Sequence, residues 1–173
     1  NSLMIPSVLM TDDVEITLET DYPFKNTANY VIKSKKDINF EIRIPSFAEK
    51  VELNGKAVDT QNISIEIKAN TEASVSISFE VKPYFKERPH NLHTVQCGSL
   101  VFSLPISYRA EKIEYVDNNG TERKFPYCDY HYIPTSDWNY GYVKSELYAD
   151  TTAISEIPYS AKNPPITIKV NSQ

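Results

Sequence analysis

Apolar residues recur at every second position in this chain with a regularity that leaves few architectures open. Val14, Ile16 and Leu18 form one run and Phe40, Ile42 and Ile44 a second. Ile63, Ile65 and Ile67 form a third, and Val75, Ile77, Phe79 and Val81 a fourth. Polar residues fill the gaps, among them Glu15, Thr17, Glu41, Arg43, Ser64, Glu66, Ser74, Ser76, Ser78 and Glu80. A period of two turns one apolar face inward and leaves the other wet, the pattern of antiparallel strands covered on one side.

Turn chemistry agrees. Asn54-Gly55, between Val51-Glu52-Leu53 and Lys56-Ala57-Val58, suits a type I′ hairpin because both residues tolerate positive φ. Asn118-Asn119-Gly120 reads as a second tight turn between Lys112 to Val116 and Arg123 to Phe125. Further strands are expected at Tyr30 to Ser34, Leu100 to Leu104, Asp129 to Ile133, Tyr142 to Leu147 and Ile166 to Val170. No segment carries a convincing helical period. Short strands separated by closely spaced turns predict an all-β fold, an antiparallel β-sandwich. Only 4 glycines and no fixed repeat speak against a propeller or β-helix.

After Pro105 the alternation weakens and Tyr, Asp, Asn and Pro become dense. The chain is therefore read as one sandwich domain, 1–173, with a core over 14–105 and an irregular, aromatic-rich C-terminal segment over 106–165 that decorates it. Residues 1–13 are expected to be a linker, and 166–173, after Asn163-Pro164-Pro165, the start of a further element. The start at Asn1, with no initiator Met and no signal-peptide pattern, suggests a piece of a longer chain.

The formal net charge is -5, with Lys and Arg scattered singly, so no basic stripe for nucleic acid or anionic lipid is present. No apolar run approaches the roughly 18 residues of a membrane-spanning helix. The two cysteines, Cys97 and Cys128, do not fix a redox compartment or whether they pair. The compartment stays open, the cytoplasm being the default reading.

Three constellations could carry chemistry. His90, His93 and Cys97, with Cys128 and His131, supply zinc-type atoms, but residues three apart on a strand project to opposite faces, and neither pair is a Cys-x2-Cys knuckle. No metal ligand is assigned. Glycoside hydrolysis needs two opposed carboxyl groups; Asp129, Asp137 and Glu146 are available, but acids here sit mainly at solvated outer positions, and no catalytic residue is assigned. The third constellation is aromatic: 12 tyrosines, several crowded at Tyr127, Tyr130, Tyr132, Tyr140 and Tyr142, and the single tryptophan, Trp138. Trp138 and Tyr140 are the candidate ligand-binding residues, since such rings stack on sugar C–H faces while their polar tips hydrogen-bond. The competing reading makes the same rings a cap, with Trp138 anchoring the irregular segment onto the sandwich or toward a further domain of the longer chain, and Asp137 and Asn139 fixing its turn.

Four segments, in order, resemble one family. They are Thr20-Asp21-Tyr22-Pro23-Phe24; Arg43-Ile44-Pro45-Ser46-Phe47-Ala48 with Leu53-Asn54-Gly55; Gly98-Ser99-Leu100-Val101-Phe102-Ser103-Leu104; and Ser136-Asp137-Trp138-Asn139-Tyr140-Gly141. From about Val14 to Val170 the chain is similar to the β-sandwich region of the β-L-arabinofuranosidase family, glycoside hydrolase family 127 (GH127), and its relatives. Ser99 departs from a proline common in the family, and Phe47 from a tryptophan. The resemblance implies an accessory domain beside an N-terminal (α/α)6 barrel that holds the catalytic cysteine, a zinc ion and an acid/base glutamate. Neither Cys97 nor Cys128 lies in a segment like the catalytic cysteine motif, so no cofactor is expected on these residues. The implied partners are the barrel, a following β-sandwich of the same chain, a plant-derived glycan and, for the parent, a second copy. Leu3, Met4, Ile5, Val8 and Leu9 would face the barrel. Two rival readings remain: a carbohydrate-binding module, and a structural or adhesive sandwich of immunoglobulin-like topology unrelated to sugar.

Overall fold

The computed structural model describes residues 5–143, 145–157 and 163–170. Its regular structure is almost entirely strand. In chain order these are β1 (Ser7–Met10), β2 (Val14–Thr20), β3 (Thr27–Ser34), β4 (Ile38–Arg43), β5 (Glu49–Leu53), β6 (Lys56–Ala57), β7 (Asn62–Ile67), β8 (Thr71–Glu80) and β9 (Pro83–Arg88). A 3-10 turn, Pro89–Asn91, leads to β10 (Leu92–Cys97) and β11 (Leu100–Phe102). There follow β12 (Tyr108–Ile113), β13 (Tyr115–Val116), β14 (Glu122–Arg123), β15 (Asp129–Pro134), β16 (Tyr148–Thr151) and β17 (Ile166–Lys169).

Two compact units make up the chain, 1–102 with 147–169, and 103–146 with 170–173. In the first, β1-β2-β3-β8-β5-β6 form a six-stranded antiparallel sheet and β4-β7 a separate two-stranded ribbon. The four alternating runs build this sandwich. Ile63 and Ile67 of the ribbon, with Ile44 just beyond it, are buried together with Ile32, Val51, Val75, Ile77 and Phe79. Ile32, fully enclosed at 0% exposure, sits at the centre of the six-stranded sheet. Burying each such side chain contributes about 1.5–3 kcal/mol. Outer residues pair instead across the wet face, as where Lys33 lies opposite both Glu15 and Glu72.

The expected type I′ turn is present: Asn54 has φ 48° and Gly55 φ 74°. A second hairpin joins β10 to β11, where Cys97 faces Leu100 and only Gly98 and Ser99 turn the chain. Gly98 takes φ 60° while Ser99 stays at negative φ, the requirement of a type II′ turn.

Several elements differ from the sequence expectation. Ser7–Met10, within the expected linker, pairs with β2 as an edge strand. No strand covers the described part of Tyr142 to Leu147; the strand begins at Tyr148 and pairs with β17. The strands β9 and β10 had no clear alternation, because β9 presents little to a core and Val95 is the only buried residue of β10. The expected strand Lys112 to Val116 is split at Glu114 into the end of β12 and β13.

In the second unit, β12 pairs with β15 and β13 with β14. The turn between β13 and β14 is organised by Asp117, whose Oδ1 accepts the N–H groups of Asn119 at 3.0 Å and Thr121 at 2.9 Å. Arg123 donates to the same carboxylate through Nε at 3.1 Å.

Candidate functional site

Trp138 is 65% exposed and Tyr140 49% exposed. The indole of Trp138 is thus largely in solvent in this chain. In this segment the Ser136 hydroxyl donates to Asp137 O at 3.4 Å. Thr135 N–H donates to Ser107 O at 2.7 Å, and Ser107 N–H donates to Ser136 Oγ at 3.1 Å. These bonds continue the β12–β15 pairing by one step and fix the chain just before Trp138.

Strand β15 carries further aromatic groups. Tyr130 and Tyr132, two apart, share one face of the hairpin, and their rings are stacked with centroids 6.2 Å apart. Tyr108 meets Tyr132 edge-on at 4.9 Å. On the same face Lys112, opposite Tyr130, holds its Nζ 4.0 Å above the Phe125 ring. Tyr108, Tyr132 and Phe125 are exposed. Sequence reasoning singled out Tyr130 and Tyr132 but missed Tyr108 and Phe125. The signal was Tyr108 and Lys112 recurring at even spacing on a strand.

The histidines and cysteines do not assemble. His90 lies in the 3-10 turn with φ 62°, and His93 packs edge-on against Phe85 at 6.4 Å. His93 and Cys97 share a strand face but stand four residues, roughly 13 Å, apart, too far to share a tetrahedral zinc ion. Both cysteines are free thiols, and burial pushes the Cys97 thiol above its ordinary value. Among the described residues no three His, Cys, Asp or Glu side chains converge to hold a metal. Asp129, Asp137 and Glu146 are exposed.

Three of the four resembling segments do converge, within the first unit. Tyr22 Oη donates to Ser99 Oγ at 2.8 Å. A Cβ placed on Gly98 would lie 3.2 Å from Phe47 Cε2 and 3.4 Å from Val81 Cγ1, so the hairpin backbone rests directly on Phe47. Ser99 and Phe47, the two departures from the family pattern, thus sit beside one another. Tyr22 and Phe47 also help line a cleft of about 690 Å³ with Leu18, Ala28, Tyr30 and strand β4. Burial raises the Tyr30 phenol above its ordinary value there, and its ring meets Phe40 edge-on at 5.2 Å.

Residues 2–83, just under half of the chain, match the family model described as β-L-arabinofuranosidase, GH127 middle domain. No curated protein sequence matches significantly. Among solved structures, the chain is similar to a GH127 β-L-arabinofuranosidase from Geobacillus stearothermophilus T6. There the identity is 16%, the TM-score 0.44, and the match covers 98% of this chain and 29% of that one. A glycoside hydrolase matches at 14% identity and TM-score 0.41, over 92% of this chain and 28% of that one. A GH127 β-arabinofuranosidase matches at 13% identity and TM-score 0.39, over 96% and 29% respectively. The chain spans less than a third of the length of these proteins.

Proposed function

We propose that the chain serves as an accessory β-sandwich domain of a β-L-arabinofuranosidase-like glycoside hydrolase, bracing an (α/α)6 catalytic barrel carried elsewhere in the longer enzyme. The match of residues 2–83 to a GH127 middle domain carries this reading. The edge strand β1 and the chain leading into it support it, because Ile5, Val8 and Met10 are 49%, 59% and 70% exposed. Apolar groups clustered on one edge mark a surface that another body covers. Leu3 and Met4, expected on the same surface, lie outside the described residues.

Bracing matters to chemistry at a distance, since shifting a catalytic group by about 1 Å can cost roughly 100-fold in rate. In this reading the glycan, the catalytic carboxyl and thiol groups and any zinc belong to the barrel, and a following sandwich and a second copy of the parent are further neighbours. The test is made in the parent enzyme. Val8→Glu with Met10→Glu should leave the isolated domain folded while lowering the parent's melting temperature and its turnover of arabinofuranosides. A parent unchanged in both, and equally unchanged when the domain is deleted, would sink the proposal.

Exposure of Trp138 and Tyr140 favours a second reading, a carbohydrate-binding surface on the second unit. Titrating arabinose-containing oligosaccharides into the chain decides it. Heat that disappears in Trp138→Ala supports it, and no heat at millimolar sugar removes it.

A further inference from the structure

We propose that the sandwich of the first unit is completed by one more strand, supplied by another part of the longer polypeptide, that pairs with the free edge of β4 and fills the cleft beside it. The inference rests on the reading that the chain is one domain of a longer enzyme.

The two layers of the sandwich are unequal. Six strands form one, and β4 and β7 alone form the other. β4 is bonded to β7 on one side only, and the cleft of about 690 Å³ lies on its other side. All residues from Phe40 to Ile44 line that cleft, and none from β7 does. Successive side chains of a strand point to opposite faces, so a space touching five in succession runs along the backbone edge. Leu18 of β2, with Ala28 and Tyr30 of β3, lies across the cleft on the inner face of the larger sheet. Leu9, the register partner of Ile16, belongs to the same inner face and is 58% exposed. The apolar face therefore continues past the point where the ribbon stops covering it.

A strand is the occupant that satisfies both demands of this space. It bonds the unpaired N–H and C=O groups of β4, and every second side chain drops onto the apolar floor, as in β-strand addition. The charges on the edge restrict which strand fits. Glu41 and Arg43 point to the outer face and take part in no ion pair among the described residues. An antiparallel strand, the arrangement β7 already adopts, would place a basic residue opposite Glu41 and an acidic one opposite Arg43. Strands without that order are disfavoured, which protects an otherwise sticky edge. A source within the same polypeptide also provides a high local concentration, and the family match is to a middle domain, which has further chain on either side of it.

The probe is the capped peptide Thr-Val-Glu-Val-Lys-Val-Thr, whose acid and base match Arg43 and Glu41 in antiparallel register. Its control exchanges the Glu and Lys at constant composition. With isotope-labelled chain, the matched peptide should slow amide exchange in β4 and shift the signals of Leu18, Ala28 and Tyr30. The control should bind about tenfold more weakly, and Arg43→Glu should remove that preference. In the longer polypeptide, β4 amides should already be protected and the peptide should not bind. No protection at millimolar peptide overturns the proposal, as does equal binding of the two peptides. So does protection that depends on protein concentration, which would make a second copy the occupant, or a longer polypeptide that binds the peptide as the isolated chain does. None of these readouts involves glycoside hydrolysis, so their failure is distinct from failure of the bracing role.

Discussion

The phenol of Tyr22 donates to the hydroxyl of Ser99 at 2.8 Å across 77 residues of sequence. It ties the turn after β2 to the β10–β11 hairpin, where Gly98 already rests on Phe47. Ser99→Ala removes the acceptor but leaves the turn backbone intact. Because the bond is solvent-exposed, water replaces part of it, and the expected loss is about 0.5–1 kcal/mol. Chemical denaturation of Ser99→Ala, Tyr22→Phe and the double variant checks this. Non-additive losses would show that the two groups act through each other.

Asn54 does more than supply a positive φ. Its side-chain Oδ1 accepts the N–H of Ser76 at 2.8 Å, while its own N–H donates to Ser76 O at 2.8 Å. The turn residue thereby extends the β5–β8 ladder by one rung. Asn54→Gly keeps the backbone geometry but loses the side-chain rung, and should cost about 1 kcal/mol. Asn54→Asp keeps the acceptor and should cost less. Equilibrium unfolding of both variants tests the order.

The Asp117 carboxyl is held below the ordinary aspartate value of 3.8, chiefly by the Thr121 N–H, with further help from Asn119 and Arg123 against an opposing desolvation effect. A lowered folded value means that the carboxylate's contribution is complete above the unfolded value and is lost as pH falls through the folded one. The β13–β14 turn should therefore loosen only under acid conditions, below about pH 4. An NMR titration should place the Asp117 midpoint under 3.8, with the Thr121 amide signal moving in step. Asp117→Asn should abolish that step.

The strands legible in the sequence are those whose apolar residues reach the sandwich interior. β4, β7 and β8 bury every second side chain wholly or in part, and β2 buries Leu18 while its other residues are half-buried or exposed, so period two appears in their residues. β9 and β10 obtain their order from pairing with each other, Val95 standing opposite Phe85, and pairing leaves little trace in composition. β1 was hidden for a related reason: all four of its residues are exposed. The aromatic surface was half visible. Tyr130 and Tyr132 could be found by spacing on one strand, but Tyr108 and Lys112 join them only through the β12–β15 register. The cleft beside β4 was not legible at all, since a free edge is defined by which strands do not pair.

Ile32 and Trp138 provide the sharpest contrast between a residue that holds the fold and one that is presented by it. Ile32 is 0% exposed between Ile67 and Val75, whereas Trp138 is 65% exposed beyond the end of β15. Ile32→Ala leaves a cavity that a sheet paired on both sides closes poorly, and should cost about 2–5 kcal/mol. Trp138→Ala removes the largest side chain in the chain but little buried area, and should change stability by no more than about 0.5 kcal/mol. Denaturant midpoints measured on the two variants should therefore differ widely. A large loss for Trp138→Ala would mark the indole as a structural anchor within this chain. Near-neutrality together with unchanged circular dichroism would leave it free to contact a ligand or a neighbouring domain, the condition any binding role for Trp138 and Tyr140 requires.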